Sequence, residues 1–311
     1  MAFRSYHNFW WRFVSIHDRR GQMGVGYSLH IGLNSVDPDH YAGWDGRLKA
    51  CEADARDVAE IAKSLGYQQT ELLLTKDATS ANVIRKVLDH AKTLRAGDIL
   101  LLSYAGHGGQ MPDTSNDEDD KRDETWCLYD RELIDDEIYR ILGRFRPGVR
   151  IVMLSDSCHS GTVARARVDA GGPSAEEVAR RTAREAVLDG TDPDDVRPRM
   201  MPFEVAVRTF ERNSDLYVAL QSASAGADET PPQASVILLS GCMDHQLSLD
   251  GARNGLFTAT LLKVWADGGF DGGYNRFHQD IVSRMPPGQT PNLFKVGPVT
   301  ADFMNQKPFS I

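Results

Sequence analysis

Apolar residues alternate from Val25 to Asn34, with Val25, Tyr27, Leu29, Ile31 and Leu33 on one side, which is the period of a half-buried strand. From Cys51 to Leu65 the spacing changes to that of a helix, carrying Ala55, Val58, Ala59, Ile61, Ala62 and Leu65 before Gly66 stops it. A short strand is predicted over Glu71–Thr75, a second amphipathic helix over Ser80–Leu94, and a central strand over Asp98–Tyr104, where Ile99 to Leu102 form an unbroken apolar run. A helix around Asp135–Arg144 precedes a strand over Val149–Leu154, and a helix around Phe203–Asn213 precedes one over Val236–Leu239. Two further helices, Asn254–Trp265 and Tyr274–Met285, lead into a turn and last strand within Pro286–Val296. Such alternation predicts a three-layer α/β domain, a mainly parallel central sheet flanked by helices.

The pattern fails in two places. Residues 1–23 are rich in aromatics (Phe9, Trp10, Trp11, Phe13) but are broken by Arg4, Arg12 and Asp18, and are read as an N-terminal extension or pro-segment rather than a signal peptide. Residues 164–202 are polar, with Pro173, Pro193, Pro198 and Pro202, and are read as a flexible linker or insertion. It separates a catalytic region, 24–163, from a second region, 203–311, that completes the same domain.

Composition narrows the function classes. A formal charge of −9 argues against a nucleic-acid surface, which needs an excess of Lys and Arg. No apolar run reaches the roughly 18 residues of a membrane span, so a cytoplasmic protein with no membrane partner is expected. Four widely spaced cysteines, Cys51, Cys127, Cys158 and Cys242, without any CxxC pair, suggest neither a disulfide framework nor zinc.

Two segments fall at the carboxyl ends of central strands, where a parallel sheet presents its reactive groups. They are Tyr104-Ala105-Gly106-His107-Gly108-Gly109 and Asp156-Ser157-Cys158-His159-Ser160-Gly161. A thiol near neutrality needs a neighbouring base to become a strong nucleophile, and His107 on the adjacent strand end supplies one for Cys158. His159 is closer in sequence, but adjacent side chains point apart. The glycines let backbone amides approach a substrate carbonyl, and those of Gly108 and Cys158 are assigned to stabilise the oxyanion.

These motifs, with His107 51 residues before Cys158, resemble the caspase-like peptidases. Asp156-Ser157-Cys158 in place of a Gln-Ala-Cys loop is similar to the metacaspase branch, as is Leu239-Ser240-Gly241-Cys242-Met243-Asp244-His245-Gln246; the likeness runs from about Gly24 to Val296. The resemblance implies a cysteine endopeptidase whose pocket for the residue before the scissile bond is lined by Asp156 and Asp54, with Cys51 and Ala105 beside them. Ala105 stands where many metacaspases have Ser. Two carboxylates select Arg or Lys, since charge-assisted hydrogen bonds are about twice as strong as neutral ones.

No cofactor is required by this chemistry. The resemblance extends to family calcium ligands at Asp123, Asp135 and Asp136, although Arg165 stands where another acidic ligand is expected. Expected partners are protein or peptide substrates with Arg or Lys at the cleavage site, with the chain a monomer. Arg165, Arg167, Arg180, Arg181 and Arg184 offer cleavage points for zymogen processing, by the enzyme itself or an upstream activating protease. Two rivals stay open: a catalytically idle caspase-like binding or regulatory protein, and a thiol hydrolase or ligase acting on Asn-containing peptides.

Overall fold

A computed structural model describes residues 24–113, 122–158, 172–185, 192, 196–224, 226, 231–243 and 246–311. The N-terminal extension, His159, Arg165 and Arg167 lie outside the described residues, as does most of the acidic loop after Asp113.

Its centre is a six-stranded sheet in the order β11-β9-β7-β3-β1-β2. Strands β1 (Gly26–Gly32), β2 (Gln69–Leu74), β3 (Ile99–Ala105), β7 (Arg150–Asp156) and β9 (Ser235–Ser240) run parallel, and β11 (Asn292–Val296) closes one edge antiparallel to β9. The apolar run of β3 is buried along its whole length because both faces are covered. Leu100, Leu102 and Tyr104 join the core under α2 (Ser80–Thr93) and α3 (Asp135–Leu142), while Ile99 and Leu101 join the opposite core. That second core is closed by α1 (Cys51–Ser64), α7 (Leu256–Trp265), α8 (Tyr274–Val282) and α9 (Ala301–Asn305). Between α3 and α7 in the chain come α4 (Ala175–Glu185), α5 (Phe203–Arg212) and α6 (Ser214–Ser224).

Local signals set the ends. Thr79 caps α2 by accepting from the Asn82 amide, and Gly66, at φ +80°, takes the left-handed turn that ends α1 before β2.

Two small sheets lie outside the hydropathy pattern. A three-stranded antiparallel sheet, β4 (Gly108–Pro112), β5 (Arg122–Cys127) and β6 (Glu132–Ile134), grows directly from the His107 turn. A two-stranded ribbon pairs β8 (Arg197–Pro198) antiparallel with β10 (Leu249–Asp250). The stretch read as a linker therefore contains a helix, α4, and a strand that enters the cleft. Among the described residues no helix is long and apolar enough to cross a membrane.

Candidate active site

β3 and β7 are neighbours paired Ala105 to Asp156, so the residues just beyond them, His107 and Cys158, leave the same edge of the sheet side by side. Both are buried. The His107 Nε2 hydrogen-bonds the Gly46 carbonyl at 3.0 Å, which fixes Nε2 as the protonated nitrogen and leaves Nδ1, with no partner of its own, as the basic one. Trp44 packs on the ring with centroids 4.7 Å apart. Gly46 sits at φ +53° in the loop that turns this carbonyl inward. Burial lowers the imidazole pKa to about 4, which the Gly46 carbonyl, Asp250 and the Met200 backbone offset only in part, so the ring is neutral at pH 7.

The Cys158 sulfur lies 4.0 Å from the Ser248 carbonyl and beside the Cys242 thiol, which donates to the Ser157 carbonyl at 3.5 Å. The Cys242 thiol is pushed well up by its contact with Cys158 and by burial. Cys51 is likewise held protonated by burial, 4.0 Å from Asp250 in the pocket wall with Leu48 and Ala105.

The cleft is filled by the chain itself. The Arg199 carbonyl oxygen accepts from the Gly108 amide at 3.0 Å and the Cys158 amide at 3.1 Å, the two donors expected for an oxyanion. The Arg199 amide donates to the Ser248 carbonyl at 2.8 Å, and Pro198 and Arg197 pair with Leu249 and Asp250 as an added strand. Past the carbonyl, the Met201 amide donates to the Gly108 carbonyl at 2.8 Å.

The Arg199 guanidinium lies in a fully buried pocket of three carboxylates. Nη2 reaches Asp54 at 2.5 Å and Asp250 at 3.0 Å, and Nη1 reaches Asp156 at 2.9 Å. Each acid is anchored elsewhere too. Asp54 accepts from Asn254 and the Gly255 amide, Asp156 from Ser248, Thr258 and the first turn of α7, and Asp250 from the Lys49 and Ala50 amides entering α1. A Cβ on Gly255 would stand 2.6 Å from the guanidinium carbon, so only glycine admits the arginine there. Burial and then the charge of Asp156 raise Asp54 to about 7 against the pull of Arg199, while burial opposes the Arg199 charge and the three acids more than restore it.

Sequence reasoning placed Cys158, His107, Gly108, Asp156, Asp54, Cys51 and Ala105, and the fold brings all seven around this cleft. Asp250 and Arg199 it missed. Arg180, Arg181 and Arg184, singled out as cleavage points, are helical in α4 and not extended in the cleft, which holds Arg199 instead. The signal was in view: Pro198 and Pro202 favour extended backbone, and Met200-Met201 is an apolar pair inside a polar stretch.

The calcium candidates lie on β5 and at the start of α3. Asp135 is raised to about 8, first by burial and then by Asp123, Glu124 and Asp136. Asp123 accepts from Gln221 at 2.5 Å, and among the described residues no group of three or more His, Cys, Asp or Glu side chains converges to hold an ion. Between about pH 4 and 8 folded Asp135 keeps a proton that the unfolded chain has released, so its contribution is present at low pH and is lost as pH rises through about 8. Asp135→Asn is expected to be more stable than wild type, by on the order of 2 kcal/mol near pH 8 and little near pH 4. Thermal melts across that range, with and without calcium, check it; a variant less stable in calcium-free buffer near pH 8 would contradict it.

A thiol and a neutral imidazole on adjacent strand ends, with two amides on one carbonyl oxygen, form a layout able to perform acyl transfer through cysteine. The chain belongs to the caspase family: residues 36–305 match the family described as Caspase domain. It is 35% identical to Metacaspase-1A of Aspergillus fumigatus over 149 residues, 43% of this chain and 35% of that protein. To Metacaspase-1 of Coccidioides immitis it is 30% identical over 258 residues, 77% of this chain and 53% of that protein. The chain thus spans about a third to a half of the curated relatives it matches. A crystal structure of a Geobacter sulfurreducens protein is 49% identical, with a TM-score of 0.79 over 92% of this chain and 98% of that one.

Proposed function

We propose that this chain is a cysteine endopeptidase that cuts after Arg or Lys, made as a zymogen whose own Arg199–Met200 bond lies in the active cleft. The observation that carries this is Arg199 itself, its carbonyl between the Gly108 and Cys158 amides and its guanidinium among Asp54, Asp156 and Asp250. A substrate arginine takes the same place. Nδ1 of His107 accepts the Cys158 proton as the sulfur attacks the carbonyl carbon, and the amides hold the oxyanion. The C–N bond then breaks, the departing nitrogen receives that proton, and water hydrolyses the thioester to regenerate the thiol.

Three carboxylates around a planar fork favour Arg over Lys, whose point charge meets fewer of them. The residues already in the cleft, Val196-Arg197-Pro198-Arg199, give the reporter: this tetrapeptide carrying a fluorogenic amine. Turnover is expected for the Arg peptide and none when its last residue is Asp or Asn. Asp54→Asn is expected to lower kcat/KM for it by roughly 10- to 100-fold, the loss of one buried charge-assisted contact. Burial raises Asp54 to about 7, so wild-type KM should rise as pH falls below about 7 and this one of the three pocket carboxylates takes up its proton. Asn-peptide cleavage, or no cleavage of any peptide by a chain whose cleft has been freed, would defeat the reading.

A further inference from the structure

The bond in the cleft is held from both sides. On the acyl side, β8 is paired with β10, the Arg199 amide is bonded to Ser248, and three acids grip the guanidinium. On the amine side, Met201 is 1% exposed among Val36, Tyr41, Cys127 and Val205, and its amide is bonded to Gly108. Pro202 follows at once and opens α5, with the Val205 and Ala206 amides bonded to its carbonyl. Met200, 6% exposed, packs in one apolar cluster with Cys158, Val178, Ala179 and Val196. None of these contacts runs through the Arg199–Met200 bond itself.

Resting on the cysteine peptidase reading above, we propose that the chain also acts as a transpeptidase on itself, cleaving and resealing the Arg199–Met200 bond. In the forward step the Cys158 sulfur bonds to the Arg199 carbonyl carbon, the C–N bond breaks, and the thiol proton passes through His107 to the Met200 nitrogen. In the return step the Met200 amine attacks the thioester carbonyl, the C–N bond reforms, the C–S bond breaks, and the proton goes back through His107 to sulfur. Nothing else is consumed.

Two physical terms favour the return over hydrolysis. The amine stays in line with the thioester, and well-oriented intramolecular partners reach effective concentrations on the order of 10^5 M or more, far above that of water. Water is also kept away, since Cys158 and Arg199 are 0% exposed and His107 6%. A water that does enter leaves the Arg199 carboxylate beside the Met200 amine; Cys158 re-forms the thioester from it as the C–S bond forms, one C–O bond breaks, and that oxygen leaves as water with the thiol proton and one proton from solvent. The loop is thereby an inhibitor that the enzyme repeatedly opens and closes, and an outside substrate enters only when one flank lets go.

The test incubates the full wild-type chain in heavy-oxygen water and measures the peptide spanning Arg199 in the intact chain by mass spectrometry. Resealing after hydrolysis places one heavy oxygen in the Arg199 carbonyl of intact protein, and Cys158→Ala prevents it. Met201→Ser, which loosens the amine side, is expected to raise the nicked fraction at least about tenfold and to remove the label from what stays intact. A wild-type chain that cleaves the reporter peptide but neither carries label in its intact form nor, in added hydroxylamine, yields a nicked chain ending in Arg199 hydroxamate overturns the proposal and leaves the peptidase reading standing. A chain that neither nicks itself nor cleaves the reporter overturns both. Label in the intact Cys158→Ala chain overturns the route through Cys158.

Discussion

Cys158→Ala is expected to abolish peptide cleavage, by a factor on the order of 10^4 or more, while the protein remains a single folded chain. The size follows from what the sulfur does: without a nucleophile there is no thioester, and the oxyanion amides and acid pocket can only bind. Thiol and imidazole act as one unit, so His107→Ala should cost nearly as much, and the double variant little more than either. The fold should tolerate the change, because Cys158 sits among small and flexible apolar groups and loses only a sulfur. Reporter turnover, melting temperature and electrophoresis of the aged protein measure the three parts. Retained turnover would remove Cys158 from the mechanism.

Arg199→Ala is expected to have the largest effect on stability. It leaves three carboxylates in a dry pocket with no cation, and breaking a buried ion pair by removing one partner costs about 3–5 kcal/mol. The cost carries a pH signature. Asp54, which burial already raises to about 7, loses the downward pull of the arginine, so stability falls as pH rises through neutrality and returns toward about pH 5. Denaturant titrations at the two ends of that range check this. A small alkylguanidinium should restore part of the loss by refilling the pocket, and Arg199→Lys should fall between wild type and Ala. Wild-type stability in Arg199→Ala at pH 8 would mean that the three acids do not share the arginine's charge.

Much of this molecule could be read from its sequence because the central strands are buried on both faces. Ile99–Leu102 and Ile151–Leu154 are unbroken apolar runs, and such runs leave few choices of partner layer. The two motifs at their ends were readable for the same reason: a strand end in a parallel sheet has a known address. The small sheet β4-β5-β6 was not readable, since Gly108-Gly109 and the acidic segment before β5 carry no alternation and the pairing is fixed by the His107 turn. Asp250 was hidden by its place in the chain, nearly 200 residues from Asp54, in a two-residue strand that forms only against β8. Arg199 was hidden by company. Among many arginines in a polar stretch, its role depends on a pocket assembled from α1, β7 and β10, a coincidence that appears only in three dimensions.

The order of the sheet has one more consequence. β9, which follows the Arg199 segment in sequence, is clasped between β7, which precedes it, and β11, which comes last. A severed chain therefore has no seam along which to part: the earlier fragment contributes the sulfur and imidazole, the later one brings Asp250 and Ser248, and interior hydrogen bonding stitches them into a single particle.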